Sequence, residues 1–211
     1  LPHKVAALKS AASASLEAKL VGAANTLSRQ SSADWAAYNT DIEGFSLALA
    51  HALPGDPRGR RVVLIGAGGA ARAAAYALGQ LGAELAIVNR TRANAEALAN
   101  ELAPQAETAE LTKLNTLAER ADIVVNSASL GHAGASLPQL PAGKGRPFLD
   151  LSYGKAAKEA LAAAKTAGWT PHDGLRMLVG QAAAAFRIWF DVSPDVPGAL
   201  SACEAIVAVR R

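Results

Sequence analysis

The spacing of apolar and polar positions changes several times along the chain, and each change marks a predicted element. The clearest signal is Val62-Val63-Leu64-Ile65, apolar at every position and rich in β-branched side chains. Such a run predicts a strand buried on both faces. Residues 122–126 and 148–151 repeat this character, 84–89 predict another strand, and 107–111 a weaker one. Between these runs apolar and small residues fall at helical spacing, over 70–81, from Arg92 to 102, over 114–120 and over 157–167. Gly82 supplies the stop for the first of these helices. Strand and helix alternation of this kind predicts an α/β protein with a parallel sheet. The flanking segments read differently. A helix is expected over 5–18, then a turn into a strand over 21–27, a polar hairpin loop over 29–34 and a return strand over 35–40. A helix starts at Asp41 and runs to about residue 52, with a loop over 53–57. Residues 168–171 read as a connection into Asp173-Gly174, followed by helices over 175–190 and 197–209.

The loop after the first buried strand reads Gly66-Ala67-Gly68-Gly69-Ala70-Ala71, which fits G-x-G-x-x-G/A with Ala71 last. It sits between a strand and a helix, with a second strand following, as a dinucleotide site requires. Gly66 allows a tight turn, Gly68 lets the backbone approach a pyrophosphate, and Ala71 lets helix and strand pack closely. The helix N-terminus favours phosphate charge. The fold class expected is therefore a doubly wound, Rossmann-like parallel sheet. Where an NAD site usually carries Asp or Glu for the ribose hydroxyl, this chain has Asn89-Arg90-Thr91-Arg92. Two guanidiniums and no carboxylate point to the 2′-phosphate of NADP. The plainer reading leaves two solvated arginines at a helix start, with Thr91 as its N-cap.

Bulk properties narrow the class. The 211 residues suffice for one large domain or two small ones, and 51% are hydrophobic, many of them alanine. The net charge of +3 comes from dispersed basic residues. No basic run suggests a nucleic-acid partner, and no apolar run reaches the length of a membrane span. The single cysteine, Cys203, excludes an intramolecular disulfide and a cysteine-only metal cluster, and fits a cytoplasmic protein. No His, Cys and carboxylate spacing suggests a bound metal. No signal peptide is legible, and the chain starts with Leu1, as a fragment or processed product would.

Lys4, beside Pro2, is a candidate acid–base group, and Asp41 stands at the start of a predicted helix. Asn25 and Gln181 carry amides able both to donate and to accept hydrogen bonds. Tyr153 lies at the end of a predicted strand, where open α/β sheets bind ligands. Each has a plainer reading: Lys4 as a solvated lysine, Asp41 as an N-cap, Asn25 and Gln181 as satisfied polar groups, and Tyr153 as an edge residue.

Taken together, several strings resemble the shikimate dehydrogenase family. They are Pro2-His3-Lys4, Val21-Gly22-Ala23-Ala24-Asn25-Thr26, Asn39-Thr40-Asp41, the glycine loop, Asn89-Arg90-Thr91, and Gly174-Leu175-Arg176-Met177-Leu178-Val179-Gly180-Gln181. They follow the family's order and spacing along the whole chain. The resemblance implies a two-lobed enzyme interconverting 3-dehydroshikimate and shikimate with NADP(H), acting as a monomer or homodimer. It implies Lys4 and Asp41 as the catalytic pair, and Asn25, Tyr153 and Gln181 as substrate contacts. For the cofactor it implies Gly174 and Met177 near the nicotinamide, and Asn89, Arg90, Thr91 and Arg92 at the 2′-phosphate. Asn126, Ser127 and Ser129 would border the cofactor from a strand-end loop.

The expected organisation is a nucleotide domain over 42–173 and a smaller, discontinuous substrate lobe from 1–41 and 174–211, with the site in the cleft. That family usually has a segment before Pro2-His3-Lys4, with a Ser-x-Ser motif for the substrate carboxylate, so the substrate lobe is expected to be partial in this chain. Smaller departures are Ala37, at a position often Gly; Ala128, where Thr is common; and Ser152-Tyr153-Gly154, which lacks the usual Asn-Pro after Tyr. Two other readings arise from the same residues. One is a relative acting on quinate, which Arg90 argues against because NAD often accompanies that activity. The other is a non-catalytic NADP-binding module.

Overall fold

The computed structural model describes residues 3–30, 34–128 and 137–209. Its core is a six-stranded parallel sheet in the order β6-β5-β4-β7-β8-β9. The strands are β4 (Arg61–Ile65), β5 (Glu84–Asn89), β6 (Glu107–Glu110), β7 (Ile123–Asn126), β8 (Pro147–Asp150) and β9 (Thr170–His172). Side chains alternate between the faces, and both faces are covered. Val62 and Leu64 point into one apolar cluster with Ile87, Ile123 and Leu149. Val63 and Ile65 point into the other with Val88, Val124 and Phe148. Burial on both sides is why these strands read as unbroken apolar runs.

Helices α3 (Asp41–Ala52), α4 (Gly69–Gln80) and α5 (Arg92–Leu102) cover the first face. α6 (Leu114–Ala118) and α7 (Lys158–Thr166) cover the second. β9 departs from the sequence pattern, in which 168–171 read as a connection. Three residues containing Pro171 carry almost no strand signal, yet at a sheet edge proline's missing N–H leaves no ladder bond unmade. Arg146 fixes this end of the sheet. Its guanidinium donates to the carbonyls of Ala118, Glu119, Ala121, Ala142 and Gly143, and lies 4.5 Å from the centre of the Trp169 ring.

A second, three-stranded sheet has the order β1-β3-β2, from β1 (Ser13–Ala14), β2 (Thr26–Arg29) and β3 (Trp35–Tyr38). The hairpin is as expected, although the tip of its loop falls outside the described residues. The long helix expected over 5–18 is instead α1 (Lys4–Ser10), β1 and α2 (Leu16–Val21). Helix propensity there loses to tertiary pairing. The amides of Ala12 and Ser15 donate to the carbonyls of Trp35 and Ala37, 2.9 Å in each case. The Ser15 hydroxyl then caps α2 by accepting from Ala18 N at 3.1 Å.

The two sheets meet around α3 and α8 (Leu175–Phe190), which pack along each other; α9 (Val196–Val209) packs on α8. The α3–α8 crossing is backbone against backbone. A β-carbon on Gly44 would lie 2.5 Å from the Met177 carbonyl oxygen and 2.9 Å from Gln181 N. One on Gly180 would lie 3.0 Å from Gly44 Cα. Gly44→Ala should therefore force the helices apart and cost about 1–3 kcal/mol of stability. A urea melt should show a lowered midpoint with an unchanged slope, and an unshifted midpoint would refute the tight crossing.

Candidate functional site

The site is assembled from the ends of elements. α3 starts at Asp41, with Thr40 as the N-cap residue. Asp41 is thus the first helical residue and not the cap, and its carboxylate stands where the helix dipole favours negative charge. Thr40 makes no side-chain cap bond, because its hydroxyl is engaged with Asn25. The β2–β3 register pairs Thr26 with Tyr38, which brings Asn25 alongside the Asn39-Thr40 turn.

Lys4, Asp41 and Asn25 form one network. Lys4 Nζ donates to Asp41 Oδ2 in a largely buried ion pair, with 13% of the lysine side chain and 8% of the aspartate side chain exposed. Asn25 Nδ2 donates to the other carboxylate oxygen at 2.9 Å and to Thr40 Oγ1 at 3.0 Å. Asn25 Oδ1 accepts from Thr40 N at 2.8 Å. The backbone is tied in as well. Ala24 N donates to the Lys4 carbonyl at 2.9 Å, Asn39 Nδ2 donates to the Ala23 carbonyl at 2.9 Å, and Asp41 N donates to Asn39 Oδ1 at 3.1 Å. Both carboxylate oxygens are occupied and the ammonium is aimed. Of its three N–H donors, only one is used among the described residues.

The nucleotide loop lies next to this network. A β-carbon on Gly69, the first residue of α4, would sit 3.3 Å from Lys4 Cδ, so the lysine stem rests on the start of that helix. Gly66 turns the chain at φ +106°, a conformation side chains resist. A β-carbon there would also meet Ser127 Oγ at 2.6 Å. Gly68 has open space where a side chain would be, with no atom within 4 Å. Ala67 and Ala70 are half-buried beside it, while Ala71 is fully buried against the sheet. An open backbone followed by a helix N-terminus suits a pyrophosphate.

At the end of β5, Arg90 is exposed and makes no hydrogen bond or ion pair among the described residues. Arg92 is paired with Glu96, Nε to Oε1 at 2.8 Å. Asn89 Nδ2 donates to the Thr91 carbonyl at 2.9 Å, shaping the turn. Thr91 occupies the N-cap position of α5, but its hydroxyl makes no cap bond.

The loops after β7 and β8 are locked together. Buried Asn126 donates to Asp150 Oδ2 at 2.8 Å, and Asn126 Oδ1 accepts from Ala128 N at 3.2 Å. Asp150 Oδ1 accepts from Ser152 N at 2.7 Å. Burial raises the Asp150 carboxyl above its usual range, and the bonds from Asn126 and Ser152 oppose that rise. Ser127 Oγ donates to the Ile65 carbonyl at 2.6 Å. Ser129 lies outside the described residues.

The remaining candidates lie around α8. Gly174 crosses tightly over Leu151, whose carbonyl oxygen would be 2.2 Å from a β-carbon there. Met177 is buried against the first face of the sheet. Gln181 Nε2 donates to the Leu178 carbonyl of its own helix at 2.9 Å. Tyr153 is 43% exposed just after β8. Among the described residues neither Gln181 nor Tyr153 hydrogen-bonds to the Lys4 network. Asn39 and Thr40 belong to the site as well, though neither is a candidate on sequence alone. Their signal is a polar pair, Asn39-Thr40, at the end of the return strand opposite Asn25-Thr26 at the start of the first. Asp150 has no such signal, and only the packing brings it out.

Comparison with known proteins agrees with this geometry. The family model described as shikimate / quinate 5-dehydrogenase matches residues 48–135, and the shikimate 5'-dehydrogenase C-terminal domain matches 174–203. A curated relative from Hyphomonas neptunium, named shikimate dehydrogenase (NADP(+)), is 46% identical over 98% of this chain and 76% of its own length. The shikimate 5-dehydrogenase of Thermus thermophilus, solved in complex with shikimate, superposes with a TM-score of 0.80 at 36% identity, covering 99% of this chain and 76% of that one. The quinate dehydrogenase of Corynebacterium glutamicum, solved in complex with NAD, gives a TM-score of 0.81 at 28% identity, over 97% and 75% of the two chains. With the glycine loop, the Lys4–Asp41 pair and the order of the parallel sheet all in place, this chain belongs to the shikimate/quinate dehydrogenase family.

Proposed function

We propose that the chain is an NADP-dependent oxidoreductase interconverting 3-dehydroshikimate and shikimate, a step of aromatic amino-acid biosynthesis. The observation that carries this reading is the Lys4–Asp41–Asn25 network resting on Gly69, at the start of the helix behind the glycine loop. It sets a proton-handling pair beside a dinucleotide cradle. In this reading 42–173 form the nucleotide domain, and 1–41 with 174–211 form the substrate side. The relative from Hyphomonas neptunium, named for NADP-linked shikimate dehydrogenation, supports the choice of substrate and cofactor. A cytoplasmic location and a monomeric or homodimeric state complete the proposal. Among the described residues no helix is long and apolar enough to cross a membrane.

The residues present fit NADP. Gly66, Ala67, Gly68, Gly69 and Ala70 would hold the pyrophosphate through open backbone and the α4 N-terminus. Arg90 would take the 2′-phosphate as its charge partner, with Asn89, Thr91 and Arg92 shaping that pocket. Asn126 and Ser127 would border the cofactor, and Gly174 and Met177 would lie by the nicotinamide. NADPH, when bound, supplies the hydride for the substrate carbonyl carbon. Lys4 Nζ would hand a proton to the oxygen that gains charge, and would accept it back in the oxidative direction. Asp41 holds the ammonium in place, and Asn25 in turn holds Asp41. Asn25, Tyr153 and Gln181 would meet the substrate hydroxyls. Gln181 would exchange its bond to the Leu178 carbonyl for one to substrate.

The competing reading is oxidation of quinate with NAD, the substrate and cofactor with which the Corynebacterium glutamicum protein is associated by name and by its complex. The Asn89-Arg90-Thr91-Arg92 turn favours NADP, since it offers guanidiniums and no carboxylate for a free ribose hydroxyl.

Two variants test the assignment. Lys4→Ala should lower turnover by about 10²–10⁴-fold while NADPH affinity holds, as expected for loss of a general acid–base group. Wild-type turnover in a shikimate oxidation assay would make Lys4 structural. Arg90→Ala should weaken NADP binding by about 1.5–3 kcal/mol, roughly ten- to a hundredfold, and leave NAD binding unchanged. Equal losses for the two cofactors in a fluorescence titration would contradict a 2′-phosphate role.

A further inference from the structure

Arg72 is the one charged residue in α4, on a helix otherwise built from alanine, glycine, leucine, tyrosine and glutamine. It does not point to solvent: only 19% of its side chain is exposed. Its Nε donates to the carbonyl of Val21, the last residue of α2, and Nη2 donates to Glu101 Oε2 at 2.6 Å. Gly22 caps α2 in the left-handed region at φ +69°, and a β-carbon there would lie 2.8 Å from Arg72 Nη2. Gly22 thus serves two needs, the helix-ending turn and the space for a guanidinium.

The segment after Gly22 carries the site. The Ala23 carbonyl accepts from Asn39, Ala24 N donates to the Lys4 carbonyl, and Asn25 holds Asp41. On the other side, just before Arg72 in the chain, a β-carbon on Gly69 would meet the stem of Lys4, and Gly68 is the open position of the nucleotide loop. One side chain therefore bridges the pyrophosphate helix and the backbone from which Asn25 and the Lys4 turn are hung. The planar fork of arginine can hold a carbonyl and a carboxylate at once in a fixed geometry, which the point charge of a lysine cannot do. The negative end of the α2 dipole adds to the attraction.

We infer that Arg72 is a positioning residue for the reaction: it sets how closely the Lys4–Asp41–Asn25 network approaches the nucleotide loop, with Gly22 and Glu101 as its seat. This inference rests on the proposed function for its catalytic consequence, but the tether itself does not depend on it. A network shifted by a fraction of the bond it loses would leave cofactor binding intact and misplace the proton donor.

The test uses Arg72→Gln, Arg72→Lys and Glu101→Gln in the purified protein, with two readouts. The first is amide hydrogen exchange, with and without NADPH. In Arg72→Gln, exchange across 22–26 should rise about tenfold, the equivalent of one lost charge-assisted bond, while β4, β5 and β7 stay protected. Arg72→Lys should fall between that variant and wild type. The second is steady-state kinetics. The kcat of Arg72→Gln should drop by about 10- to 100-fold, with NADPH affinity unchanged. Unchanged exchange over 22–26, loss of protection throughout the sheet, or parallel losses in kcat and NADPH affinity would each overturn the inference. If wild-type protein does not turn over shikimate, the proposed function fails, and the exchange data still decide the tether. Should Arg72→Gln fail to fold, Glu101→Gln decides it instead, because Glu101 is more than half exposed. Faster exchange confined to 22–26 supports the tether, and wild-type exchange overturns it.

Discussion

The backbone contact between α3 and α8 is the constraint on which the rest of the molecule depends. Gly44 and Gly180 remove the side chains that would keep these helices at ordinary separation. α3 also packs its Phe45, Ala48 and Leu49 face on the large sheet, so the crossing fixes the smaller sheet's neighbours against the larger one. Asp41 sits at one end of this helix pair, three residues before Gly44, and Gln181 lies directly across from Gly44. A change of even one methyl group there would move the site relative to the nucleotide loop, since close-packed interiors respond to single methylenes.

Around that frame the polar groups are satisfied in series. Lys4 depends on Asp41, Asp41 on Asn25, and Asn25 on the Thr40 turn, which begins the helix carrying Asp41. Among the described residues no buried side-chain polar atom lacks a hydrogen-bond partner. A network in which every buried side-chain polar atom has a partner is rigid, because each lost bond leaves a buried group unpaired. The same logic holds across the sheet ends, where Asn126 and Asp150 bind each other and the two loops they lead into. By contrast Gly68 and Arg90 are left open and unpartnered among the described residues, which is the condition for meeting a ligand.

Local order in the sequence determined a great deal. The unbroken apolar runs of β4, β7 and β8 announce a sheet covered on both faces, and the glycine loop between β4 and α4 announces what the carboxyl edge of that sheet is for. The bounds of α3, β5, α5 and α8 also come from local pattern, since each combines helical or strand spacing with a start or stop signal. Cofactor choice rests on the same footing, because the Asn89-Arg90-Thr91-Arg92 turn is contiguous with the strand that positions it.

Tertiary structure decided whatever depends on a partner distant in sequence. Ser13 and Ala14 lie in a stretch of helical spacing, yet the free edge of β3 drew them into a strand, because ladder bonds outweigh a propensity of a few tenths of a kcal/mol per residue. Thr170 to His172 became an edge strand only because β8 lay beside them. The pairing of Lys4 with Asp41 spans 37 positions and that of Arg72 with Val21 spans 51. Lys4 has a local mark in the nearby Pro2, but Arg72, a single arginine in an alanine-rich helix, has none. Composition and period are properties of neighbours in the chain, and they determined the sheet and its nucleotide loop. Which side chains meet is a property of neighbours in space: the backbone ties from Ala24 to Lys4 and from Asn39 to Ala23 set Lys4 beside Asp41, and the packing of α4 on α2 sets Arg72 on Val21.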